Sequence, residues 1–331
     1  MVFLKFIRLL FAYTDKLRDL CPKKDMNTLS YSEKNSICEG HFNSHGPFWH
    51  LYTNGQSMQN LFLTPENFKT GIFVLALSVC ICNEVQLIAF ELMSNHIHWI
   101  LAGMQEKCLE LFTTFRKRMK MTYARQGIVV DWDNFQAEIL PIESLESLRN
   151  EIIYTHRNAY VASGNYNPFS YPWGSGCAYF NHWIGMISTS EFSQMSLRTK
   201  REMTHCRDIA PFNRLQFADD TVYIPSFCNI RLGESMFVDP RSYFNMLTRK
   251  AEVYSSIAAR LKDCIFLTDD EMFLVASSFC KENFRISTLA QLSPEQRIAT
   301  ARELHFKDNA TNQQIRRLLR LEMTLLNEMF P

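Results

Sequence analysis

Apolar residues come in short, dense blocks through the first half of the chain and recur every three or four positions through much of the second. Residues 12 to 45 are polar and weakly patterned, which predicts an arm, with order beginning near Gly46-Pro47. Phe48-Trp49-His50-Leu51-Tyr52-Thr53 predicts a strand, closed by the turn signal Asn54-Gly55. Thr64-Pro65-Glu66 is a helix start, because the Thr hydroxyl can cap a backbone amide and Pro suits the first helical position. That helix runs through Phe68, Ile72, Leu75, Ala76 and Val79. Val85 to Met93 and His96 to Leu101 read as strands, and Ser94-Asn95 between them allows a hairpin. A basic helix follows from about Lys107 to Arg125, and a second helix covers about Ser144 to Tyr160. The aromatic stretch Phe169-Ser170-Tyr171-Pro172-Trp173-Gly174-Ser175 predicts irregular structure.

Residues 186 to 262 are mixed, with a helical pattern after Val238-Asp239-Pro240 through Phe244, Leu247, Ala251, Tyr254 and Ile257. The remainder is nearly all helix. Thr268-Asp269-Asp270-Glu271 and Ser293-Pro294-Glu295-Gln296 fit capping boxes. Two last helices cover about Thr311 to Leu319 and Glu322 to Phe330, a pairing that suggests a helix-turn-helix without the usual turn Gly. Strands and helices mix without regular β-α-β alternation, so the predicted class is α+β. The expected units are an N-terminal arm, partly disordered, over 1–45, a catalytic domain over 46–185, a connecting region over 186–262, and a C-terminal helical domain over 263–331.

Composition changes this picture little. A chain of 331 residues allows two domains or one with extensions, and 47% hydrophobic with 21% charged residues is ordinary for a soluble protein. The net charge of +1 means that any nucleic-acid surface must be local. Ten cysteines lack metal-finger spacing and read as reduced thiols of a cytoplasmic protein. The segment Met1 to Phe11 is too short and too charged to span a membrane, and it lacks a signal-peptide cleavage site. It reads as an amphipathic arm or an early start codon, and no membrane partner is expected.

Candidate chemistry begins with His96-Ile97-His98. Side chains alternate along a strand, so both imidazoles share one face, about 7 Å apart, and can converge on a cation. Ile97 and Trp99 would then point into the core. Two partly exposed histidines with no ligand would give the same pattern. On the predicted helix from Leu145 to Tyr160, the residues Leu145, Leu148, Ile152, His156 and Ala159 form an apolar stripe, the natural core face. Tyr154 and Asn158 lie opposite, one turn apart, where a phenol nucleophile and an amide ligand could come from one rigid element. His156, on the apolar stripe, reads as a core residue.

The run Phe90-Glu91-Leu92-Met93-Ser94-Asn95-His96-Ile97-His98-Trp99-Ile100-Leu101 resembles the metal-binding strand of the HUH single-tyrosine transposases, in particular the REP-associated tyrosine transposases. Tyr154-Thr155-His156-Arg157-Asn158-Ala159 is similar to that family's Tyr-Ile-x-x-Asn-Pro helix, and Tyr171-Pro172-Trp173-Gly174-Ser175 to its Tyr-x-Trp-Ser-Ser stretch. The resemblance covers roughly residues 46 to 182. Ser94 and Ala159 stand where the family has Pro, and the common Leu-Trp-Gln-Gly-Arg-Phe segment is not found.

The resemblance implies a ferredoxin-like antiparallel sheet with helices, the HUH nuclease core. It also implies a divalent ion, Mg²⁺ or Mn²⁺, held by His96, His98 and Asn158. Tyr154 would attack a phosphate of single-stranded or hairpin DNA and form a 5′-phosphotyrosine link, and the chain could act as a homodimer. Arg116, Lys117, Arg118, Lys120 and Arg125 on the basic helix could contact phosphates, and Tyr171 and Trp173 could stack on unpaired bases. Two alternatives stay open. One is a domesticated HUH-fold protein that binds DNA without cutting it. The other is an unrelated metal hydrolase using His96 and His98 with an acid such as Glu91.

Overall fold

A computed structural model describes residues 29–54, 61–162, 169–247, 269–286, 288–308 and 310–330. The arm segment 1–11, Gly55, the helical pattern past Leu247 and Thr268 lie outside the described residues. The first half of the chain forms α1 (Tyr31–His45), β1 (Phe48–Thr53), α2 (Pro65–Ile81), β2 (Gln86–Leu92), β3 (Ile97–Ala102), α3 (Gln105–Arg125), β4 (Ala137–Ile142) and α4 (Leu145–Ala162). The four strands make one sheet in the order β2-β3-β1-β4, with every neighbouring pair antiparallel. From β1 to β4 the chain is therefore β-α-β-β-α-β with a split β-α-β order. The α+β class is as the sequence pattern predicts, and the antiparallel sheet is as the resemblance implies.

Two elements differ from expectation. Residues 31–45, read as an arm, form α1. Its start is fixed by a capping box in which Ser30 accepts from the Glu33 amide and Glu33 reaches back to the Ser30 amide. Only Cys38 of this helix is fully buried, which is why no apolar stripe announces it. The strand β4 was not anticipated, because Pro141 interrupts its sequence; it sits at the sheet edge, where a residue without an N–H is tolerated.

The two faces of the sheet are covered differently. On β3, Trp99 turns toward α3 and meets the rings of Phe112 and Phe115 at 6.1 and 5.1 Å. The α3 residues Cys108, Leu111, Phe112, Phe115, Met119 and Tyr123 recur at helical spacing and are all buried. His98, one position away, turns to the other face, which α4 covers.

The outer edge of β2 is not open. Leu87 O accepts from the Asn229 amide, and Ile88 O accepts from the Tyr179 hydroxyl at the point where the strand register shifts. Ser175 Oγ accepts from the Phe90 amide, the Leu92 amide donates to Trp173 O, and Tyr171 donates to Leu92 O. An edge strand presents unpaired backbone groups, and here later segments take them up. The later part of the chain also forms a small sheet of β5 (Ser190–Glu191), β6 (Gln216–Ala218) and β7 (Thr221–Val222), with helices α5 (Leu197–Thr204), α6 (Ile230–Glu234) and α7 (Pro240–Leu247). One hydrophobic core runs from Cys38 to Leu247, so it continues past residue 185 into the region expected to be a connector.

A second core is formed by α8 (Asp269–Phe284), α9 (Pro294–Asp308), α10 (Asn312–Leu319) and α11 (Met323–Met329), around Met272, Leu304, Ile315 and Leu326. The Ser293–Gln296 capping box opens α9. Between α10 and α11, Arg320 takes the left-handed conformation (φ +53°) that a turn Gly would normally supply. No helix among the described residues is long and apolar enough to cross a membrane.

Candidate active site

The strand register aligns four polar residues in a row across the α4 face. Glu91 on β2 pairs with His98 on β3, His98 with Tyr52 on β1, and Tyr52 with Glu138 on β4. The Tyr52 ring lies nearly parallel to that of His98, and its hydroxyl donates to Glu138 Oε2 at 2.8 Å. His50, two residues before Tyr52, also faces α4 and approaches His98, with 3.0 Å between His50 Nε2 and His98 Nδ1. Glu151 on α4 closes the cluster at 2.7 Å from His50 Nδ1. Burying groups of this kind away from water is costly unless they are hydrogen-bonded. The sheet therefore spends stability on this face that an apolar row would not.

On α4, Glu151, Tyr154 and Asn158 share the stripe that meets the sheet. The Tyr154 ring stands edge-on to His98 at 5.6 Å and to His50 at 6.2 Å. Tyr154 is only 5% exposed, and Asn158, one turn further along, is buried as well. The expected orientation of this helix is corrected here. Its polar stripe, predicted to lie away from the core, is the one that faces the sheet. The side bearing His156 packs instead against the later segments. Every residue from Glu151 to Asn158 is buried, because the chain beyond residue 170 wraps the helix on the side that would otherwise face water.

His156 is a structural residue, as its place on the apolar stripe suggests. Its Nδ1 is 2.9 Å from the Tyr243 hydroxyl and its Nε2 is 2.8 Å from Ser175 Oγ. Complete burial pushes its pKa down to about 3, so it is neutral. Through Ser175 it connects α4 to the edge of β2.

His96 lies at the hairpin end of β3, its ring perpendicular to that of His98 at 5.0 Å. Its Nδ1 donates to Asn95 Oδ1 at 2.7 Å, so its lone pair is on Nε2, the nitrogen suited to a metal ion. Among the described residues, no group of three or more His, Cys, Asp or Glu side chains is arranged to hold a metal. A third protein ligand beside His96 and His98 would thus be of another type. Asn158, one turn past Tyr154, has a buried Nδ2 that makes no hydrogen bond, and turning the amide over would present Oδ1 at the same position. Two imidazoles and an amide oxygen form a donor set acceptable to a divalent ion.

No protein-family model matches this chain, and no curated protein sequence matches it. A solved structure of a REP-associated tyrosine transposase bound to a REP hairpin is similar over 40% of this chain and 77% of that one, at 14% identity and a TM-score of 0.30. The similarity is remote, and what this chain does has to be read from its own residues.

The remaining candidates lie elsewhere. The basic helix α3 covers the opposite face of the sheet from His98. Arg116 donates to Trp132 O, and Arg118 donates to Cys206 Sγ and Thr204 O while lying over the Phe212 ring. Lys117, Lys120 and Arg125 are exposed. Tyr171 is buried on Met93, and Trp173 stacks on Phe68 at 5.1 Å, so the Tyr-x-Trp-Gly-Ser stretch works as a clasp on β2. Gly174 fits that clasp because a Cβ there would come within 2.7 Å of Glu91 Oε2. His50 and Glu151 were missed by sequence reasoning. The one available signal was His50, a polar residue at the centre of the otherwise apolar β1, whereas Glu151 sits on the polar stripe of α4 and does not stand out there.

Proposed function

We propose that this chain is a DNA strand transferase that cuts and rejoins single-stranded or hairpin DNA through Tyr154. The observation that carries this reading is the buried Tyr154 ring packed on His98, within the same cluster as His50. Two of the three sequence motifs thus meet in one site, and the third clasps the strand beside it. The Tyr154 oxygen forms a bond to the scissile phosphorus as the bond from phosphorus to the 3′ oxygen breaks. The 5′ phosphate stays on Tyr154, and the 3′ oxygen leaves as a hydroxyl after taking up a proton. Attack by a 3′ hydroxyl on the phosphotyrosine reverses the step and conserves the phosphodiester energy. His96, His98 and Asn158 would hold Mg²⁺ or Mn²⁺, which supplies neutralisation of charge on the phosphate oxygens. The rigid α4 backbone orients the phenol, and the sheet beneath it limits water that would compete with the 3′ hydroxyl.

The test is covalent trapping. With 3′-labelled hairpin DNA and Mn²⁺, the wild-type chain is expected to retain label on a denaturing gel, and Tyr154→Phe to retain none while still binding the hairpin. Label retained by Tyr154→Phe would remove Tyr154 from the mechanism. A second reading, a protein that binds DNA hairpins without cutting, is favoured by the burial of Tyr154 at 5% exposure. Tight hairpin binding by the wild type, with no adduct in any divalent metal, would establish it over the first.

A further inference from the structure

We infer that Glu151 and His50 are positioning residues that set the tautomer of His98 and aim its Nε2 lone pair at a cation. The inference rests on the metal reading of His96 and His98 proposed above. Its basis is a directed chain of hydrogen bonds. A carboxylate only accepts, so the 2.7 Å contact makes His50 Nδ1 the donor to Glu151 Oε2. In a neutral His50 ring, Nε2 then carries the lone pair. At 3.0 Å it accepts from His98 Nδ1, which must carry the proton. His98 is left with its lone pair on Nε2. His96 reaches the same tautomer by a different route, its Nδ1 proton held by Asn95 Oδ1. Both histidines of the pair are therefore set with the same nitrogen ready for a metal.

The geometry suits this role. His50, His98 and Glu151 are each at most 1% exposed, so no solvent competes for these bonds. The three residues come from β1, β3 and α4, so the chain of bonds also ties the tyrosine helix to the metal-facing strand. Outer partners of this kind raise ligand basicity and fix ring orientation, and their loss commonly weakens metal binding by about 10- to 100-fold. The ordering of His98 thus depends on a residue one turn before Tyr154 on the same helix, so metal site and nucleophile share a support.

Two measurements on the full chain test this. In the metal-free protein, ¹⁵N imidazole spectra are expected to show Nδ1–H, Nε2-unprotonated rings at His50, His96 and His98. In Glu151→Leu the His98 pattern should change while that of His96 stays. A His98 ring protonated on Nε2 in the wild type overturns the relay, whatever the metal does. In the second measurement Mn²⁺ affinity is determined by calorimetry. Wild type should bind, His98→Ala should not, and Glu151→Leu and His50→Phe should bind about 10- to 100-fold more weakly. Glu151→Gln preserves volume and fold and should fall between wild type and Glu151→Leu, so a folding defect in the larger changes does not decide the matter. Unchanged Mn²⁺ affinity in all three relay variants overturns the relay alone. No Mn²⁺ binding by the wild type overturns the metal reading, and the relay's purpose with it.

Discussion

The two faces of the four-stranded sheet are built from the same strands and share one backbone, yet they are constructed on opposite terms. Toward α3 the strands present residues such as Leu51, Ile97, Trp99 and Leu101, and α3 answers with Phe112 and Phe115. Toward α4 they present Glu91, His98, Tyr52, Glu138 and His50, and α4 answers with Glu151, Tyr154 and Asn158. The first face stabilises by burying apolar surface. The second face gains only what its hydrogen bonds return after desolvation. The second arrangement keeps in the interior a polar cluster where a packed apolar layer would be more stable, which is the cost that the proposed chemistry would account for.

That contrast can be broken in graded steps. The largest effect is expected from Trp99→Ala, which opens a cavity in the apolar face and should cost about 3–5 kcal/mol by chemical denaturation. Tyr154→Phe, on the other face, should cost less than about 1 kcal/mol while abolishing the covalent adduct. If the two variants destabilise equally, the division of labour between the faces is wrong.

Next is His156→Leu, expected to cost about 1–3 kcal/mol by leaving Ser175 and Tyr243 without their shared partner. The loss should depend on pH. Folded His156 has a pKa near 3 against an ordinary 6.5, so between those values the unfolded chain binds a proton that the folded one does not. Its contribution is complete above pH 6.5 and declines as pH falls toward 3. The slope should be about 1.4 kcal/mol per pH unit. Urea melts at about pH 7.5 and about pH 5 should therefore show the wild type losing its advantage over His156→Leu at the lower pH.

Tyr52→Phe removes the bond to Glu138 and should cost about 1 kcal/mol. The smallest effect is expected from changing Lys117, Lys120 and Arg125 together to Ala. Stability should move by no more than about 0.5 kcal/mol per site. A tenfold loss of hairpin affinity in this variant would show that DNA engages the α3 face, and the site under α4 would then need another account.

Much of this organisation was legible in the amino-acid order. The strand Phe48–Thr53, the Thr64-Pro65 helix start and the hairpin around Ser94-Asn95 follow from local rules of alternation and capping. The meeting of Tyr154 with His98 was foreshadowed only by motif order, and its geometry depended on the sheet. What could not be read locally was which side of α4 would be solvated. A helical wheel ranks faces by polarity, and it set Tyr154 and Asn158 outside. The fold buries that side on an unusually polar sheet face and covers the rest with segments from beyond residue 170. His50 and Glu151 escaped for the same reason, since they are 101 residues apart and acquire meaning only through each other. The roles given to Arg116, Arg118, Tyr171 and Trp173 were read from residue type. Their actual partners are backbone carbonyls, a thiol and aromatic rings.

The groups that close the margin of β2 are encoded 79 to 142 residues after the strand they serve. During synthesis the sheet can assemble well before its guard emerges, and in that interval a nascent chain carries a bare ladder able to recruit a strand from another molecule. A fragment ending at residue 185 would keep Tyr171, Trp173, Ser175 and Tyr179 but lose Asn229 from Leu87 and Tyr243 from His156, so the smallest autonomous piece containing the tyrosine and the histidines should extend to about Leu247.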